Sequence, residues 1–73
     1  MAGGDIVLWT LQYTSRVVTC IDRSGPNGRE YAVLYAGILP LASYAVRTTS
    51  DADAWAERIR RAWESLGWTR ASE

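Results

Sequence analysis

The residues in this chain that could carry chemistry are few. There is one thiol, Cys20. Three carboxylates, Asp5, Asp22 and Glu30, fall near the ends of apolar runs, and two guanidiniums, Arg23 and Arg29, flank Gly25-Pro26-Asn27-Gly28. The chain has no histidine, which removes the commonest general base and every Ser-His or Cys-His arrangement. Cys20 stands between Thr19 and Ile21 in an apolar run, where a buried, inert thiol is expected rather than a nucleophile. Asp22 and Glu30 would meet across a hairpin and could share acid–base work or a metal only inside a common pocket, whereas acidic residues at strand ends are ordinarily solvated. One thiol with scattered carboxylates is not a structural zinc site. The expectation is a non-enzyme with no catalytic residue, no metal site and no cofactor.

The letters Gly25-Pro26-Asn27-Gly28 match a GXXG nucleotide clamp, but that clamp needs a helix on each side and this segment lies between strands. A hairpin turn with two solvated arginines is the expectation. Guanidiniums beside turn amides are nevertheless suited to phosphate, so Arg23, Arg29 and Arg47 form the alternative reading, nucleic-acid binding through the hairpin loop and sheet. Charge speaks against it. Eight basic residues, all Arg, balance eight acidic ones at a pI near 6.2, whereas proteins that live on a phosphate backbone show a basic excess or stripe. Arg58, Arg60 and Arg61 are separated on the helical wheel and share it with Glu57 and Glu64.

Hydrophobic periodicity supplies the elements that must position these residues. A strand is predicted over 5–14, with Val7, Trp9, Leu11 and Tyr13 on one face. A second runs over 17–22, a third over 30–36 and a fourth over 41–48. The segment 23–29 is a tight reversal rich in Gly, Pro and Asn. Residues 38–41 form a turn or a flap beside Pro40, which donates no ladder hydrogen bond. Over 50–67 the period changes to 3.6: Ala52, Trp55, Ala56, Ile59, Ala62, Trp63 and Leu66 make one apolar stripe. Ser50 is the expected N-cap, Gly67 the closing residue, and Trp68 folds back onto the last turn.

The fold class is therefore α+β: a small antiparallel sheet of three to four strands, ordered β-β-β-β-α, with one C-terminal amphipathic helix packed on one face. Residues 1–73 are read as a single domain with flexible ends at 1–4 and 70–73. The strand-then-helix order and the Ala- and Trp-bearing helix are loosely similar to the arm-DNA-binding domains of phage-type integrases. That resemblance implies DNA reading by a basic sheet, and the strands here are nearly uncharged.

A chain of 73 residues sits near the lower limit for folding alone, where disulfides, metals or association supply the missing stability. A lone cysteine forms no intrachain disulfide, so association is the remaining route. All eight aromatic rings are Trp or Tyr, with no Phe, a set that suits half-buried and interface positions. Both faces of the first and third strands are apolar, and one helix covers only one. The expected function is thus a small non-enzymatic protein-binding module, a regulator, adaptor or inhibitor, homodimeric or bound to another protein. An inhibitor from a phage or mobile element, acting on a restriction or CRISPR complex, is one specific form. The expected interface is Tyr31, Val33 and Tyr35 with Tyr13 and Tyr44. No segment suits a signal peptide or membrane span, and a free thiol suits the cytoplasm.

Overall fold

The computed structural model describes residues 5–25 and 28–70. Four strands, β1 (Ile6–Tyr13), β2 (Arg16–Gly25), β3 (Gly28–Tyr35) and β4 (Leu39–Ala45), form an antiparallel meander. The helix α1 (Thr49–Glu64) follows, and β5 (Thr69–Arg70) closes the chain. The order across the sheet is β4-β3-β2-β1-β5. Leaving one edge at β4 and returning to the opposite edge at β5, the chain carries α1 across one face of the sheet. This is the small α+β fold that the periodicity predicts.

Differences from expectation lie at boundaries. Thr48, not Ser50, caps α1: its hydroxyl accepts from the Asp51 N–H at 3.1 Å. Gly67 turns the chain at φ +103°, and the Trp68 N–H reaches back to the Trp63 carbonyl at 3.4 Å. Arg70, expected in a frayed tail, pairs with Leu11 as part of β5; residues 1–4 and 71–73 lie outside the described residues. The segment 38–41 is not a flap. Ala36 and Gly37 both have positive φ, 55° and 77°, the Ile38 N–H closes a turn on the Tyr35 carbonyl, and Tyr35 pairs with Leu39 across a three-residue hairpin loop.

Two irregularities alter which face a side chain occupies. The β1–β2 register shifts between Val7 and Trp9, so Val7 pairs with Ile21 while Trp9 pairs with Cys20. The β3–β4 register shifts between Val33 and Leu34, leaving Leu41 as the extra residue between Pro40 and Ala42. One added residue reverses the facing of everything beyond it. Val7 is therefore on the opposite face from Trp9, against the simple alternation.

The core lies between sheet and helix. Trp9, Leu11, Val18, Cys20, Tyr31 and Val33 from the sheet meet Ala52 and Ala56 of α1. Ala at the closest approach lets the helix sit low, and Trp55, Ile59 and Trp63 flank it, half-buried. Ala62 and Leu66, assigned to the stripe by period, are exposed, and Leu66 lies beyond the end of α1 at Glu64.

Candidate sheet interface

Bulk and hydrogen-bonding capacity decide which sheet face the helix takes. The Trp9 indole N–H donates to the Ala56 carbonyl at 3.2 Å, and the Tyr31 hydroxyl donates to Asp53 Oδ1 at 2.9 Å. The Tyr44 ring stacks on Trp55 at 5.6 Å between centroids. Rings with polar handles need acceptors when buried, and the helix supplies a carbonyl and a carboxylate. Burial first, and then the bond to Asp53, push the Tyr31 phenol up to about 12.

This placement corrects the expected interface. Tyr31 and Val33 are buried beneath α1, and Tyr35 and Tyr44 pack half-buried against the same core. Tyr13 keeps 46% of its surface exposed, but its ring leans on Trp68 at 5.7 Å, and Trp68 meets Trp63 edge-on at 5.0 Å. These five residues are the helix-facing side of the sheet, not its free side.

The free side is built from the alternate positions. Ile21, Ala32 and Leu34 form a second buried cluster, separate from the core under the helix. Exposed Val7 and Val17 lie on the same face, with Thr10, Thr19 and Ser43. No helix or strand of the described residues lies over this face. Sequence reasoning missed these residues because it ranked rings above aliphatics. The available signal was volume: Thr10, Thr19, Ala32, Ser43 and Ala45 are too small to fill the space between a sheet and a helix.

One ion pair stands on the free face. Arg23 and Glu30 are opposite in register, and the Arg23 guanidinium meets Glu30 Oε2 at 2.8 Å. Glu30 lies over Gly25, where a Cβ would come within 2.9 Å of its carboxylate. Asp22, one position from Arg23, faces the other way. It accepts from Arg29 Nε at 3.1 Å, and Arg29 also reaches Ser24 Oγ at 3.2 Å.

The strand pleat thus separates Asp22 from Glu30 and gives each carboxylate its own arginine, so they make no shared acid–base or metal site. Among the described residues no group of three or more potential metal ligands occurs. The same pairings engage the two loop arginines, and Arg47 lies in the bend between β4 and α1 rather than in a strand. The three arginines of the nucleic-acid alternative do not converge on one surface.

Two concavities mark the surface of the described residues. One of about 290 Å³ lies between β1 and α1, lined by Val7–Thr10 with Glu57, Arg60 and Arg70. Its charges are satisfied internally: Arg60 bonds Glu57 and Glu64, which holds the Glu57 carboxyl below its ordinary range. The other, of about 440 Å³, is a shallow depression at the hairpin tips beside Arg16, Val17 and Tyr35. Cys20 is fully buried, and burial pushes its thiol up to about 12, so it presents no thiolate. Among the described residues no helix is long and apolar enough to cross a membrane. Comparison of the chain with protein-family models, curated proteins and solved structures finds no match.

Proposed function

We propose that this protein is a non-enzymatic binding module that presents the free face of its sheet to another protein surface, with a second copy of itself as the partner. The observation that carries this reading is the exposed Val7 and Val17 beside the second apolar cluster, Ile21, Ala32 and Leu34, on a sheet face with no described element above it. Exposed apolar side chains grouped beside such a cluster suit an interaction site. The chain carries no net charge, so little self-repulsion opposes association.

Size sets the strength. Four strands about 4.8 Å apart, with six or seven residues each rising about 3.3 Å, give a face of roughly 20 by 22 Å. Two such faces stacked would bury at most about 1,000 Å², the low end for a specific interface, because Ile21, Ala32 and Leu34 are already buried within one chain. The dimer should therefore be reversible and dependent on concentration. As a regulator, adaptor or inhibitor the module would act by occupying a protein surface, not by turning over a substrate.

Light scattering across a dilution series tests this. The native mass should rise from 8.1 kDa toward twice that value. Thr19→Glu, which places a charge between Val17 and Ile21, should hold the chain at the single mass without lowering its helix content. A wild-type chain that stays monomeric at every concentration would remove self-association from the account.

A further inference from the structure

The free face is arranged as unlike pairs. In the β2–β3 register, Arg23 stands opposite Glu30, Ile21 opposite Ala32, and Thr19 opposite Leu34. The first pair is cation against anion; the other two are large against small. The outer strands extend one row in the same sense, with Val7 beside Ile21 on β1 and Ser43 beside Ala32 on β4.

Such a face has one simple self-complement. A two-fold axis lying in the interface, parallel to the strands and midway between β2 and β3, places β2 of one copy over β3 of the other. Every residue then meets the partner's counterpart of its own neighbour: Ile21 over Ala32, Leu34 over Thr19, Val7 over Ser43, Arg23 over Glu30. Large side chains face small ones across the interface, and the exposed Val7 and Val17 add the apolar area that it covers. Stacked sheets cross at about 30°, and residues on the two central strands, nearest the axis, are displaced least by that rotation.

Resting on the self-association proposed above, we infer that the protein forms an isologous face-to-face dimer about this axis, registered by Arg23 and Glu30 of the two copies. The two ion pairs become a ring of four alternating charges at the Gly25–Gly28 end of the interface. The ring fixes orientation. Turning one copy end for end, about an axis perpendicular to the strands, would set Arg23 and Glu30 over the Val17 and Thr19 rows and desolvate them without a partner charge. A charge ring of this kind contributes mainly to specificity, since desolvation offsets much of its attraction. Gly25 lies beneath this pair, and a Cβ there would come within 2.9 Å of the Glu30 carboxylate and displace it.

The test is the reversed double variant Arg23→Glu/Glu30→Arg, which keeps the pair within each chain and so keeps the fold. It should self-associate like wild type. Mixed with wild type, it should not exchange, because every charged contact across the interface would then be between like charges. Native mass spectrometry of an isotopically labelled wild-type chain with the unlabelled variant reads this directly. The mixed dimer should be roughly a hundredfold weaker than either homodimer, as expected where like charges are juxtaposed at an interface.

The single variants give the reciprocal result: Arg23→Glu and Glu30→Arg should each be monomeric alone and associate when combined. A statistical mixture of homodimers and mixed dimers would overturn the registered two-fold while leaving self-association standing. A wild-type chain that is monomeric throughout would overturn both.

Discussion

Tyr31 donates its hydroxyl to Asp53 across 2.9 Å, and that bond ties the third strand to the first turns of the helix. It also fixes the facing of β3. With Tyr31 turned to the helix, Ala32 and Leu34 turn away, and the free face follows from that choice. Tyr31→Phe keeps the ring and removes the bond, leaving Asp53 to water. The expected cost is about 1 kcal/mol, read as a lowered urea midpoint with an unchanged slope. A loss above about 3 kcal/mol would mean that the ring, not the hydroxyl, had been disturbed.

Alkaline pH should weaken the fold. The Tyr31 phenol is raised from 10.0 to about 12 and the Cys20 thiol from 9.0 to about 12. A group whose pKa is higher in the folded chain than in the unfolded chain contributes fully below the unfolded value and loses that contribution as pH rises through the folded one. Stability should therefore hold to about pH 9 and decline toward pH 12. In Tyr31→Phe the decline above pH 10 should be shallower. An identical slope in wild type and variant would contradict the assignment.

Cys20 is fully buried between β1 and β3, and its thiol should react only when the chain unfolds. Labelling with a disulfide reagent should be slower than for a free thiol by the equilibrium constant for opening, and it should accelerate with each destabilising substitution. Reaction at the rate of an exposed cysteine would show that the core is not closed.

The helix, the four long strands and their antiparallel order were legible because period 3.6 and period 2 are properties of many residues together. The choice of face was not. On β3 both alternations are apolar, Tyr31, Val33, Tyr35 against Ala32, Leu34, and polarity alone ranks them wrongly. What decides is side-chain volume and the need of Trp9 and Tyr31 for acceptors that only the helix offers. Two register shifts hid the facing of Val7 and Pro40, since a bulge leaves the sequence pattern locally unchanged. The strand Thr69–Arg70 is too short to have a period. It forms because Gly67 reverses the chain beside the free edge of β1.

Thr14 sits at φ 54° in the β1–β2 turn. A β-branched side chain there meets its own backbone, at a cost of about 1–2 kcal/mol relative to a residue without a Cβ. Thr14→Gly should raise stability by several tenths to about 1 kcal/mol, after the greater chain entropy of glycine is subtracted. Thermal unfolding checks it, and a lowered midpoint would contradict the strain.

The measurement that tests the central claim most directly is a concentration series of methyl and amide NMR shifts on the wild-type chain. The account predicts that Ile21, Ala32, Leu34, Val17 and Thr19 move together as concentration rises, while Ile59 and the indoles of Trp55 and Trp63 stay fixed. Shifts confined to the helix or to the Tyr13–Trp68 cluster, or no shifts at all, would contradict the assignment of the free sheet face as the interface.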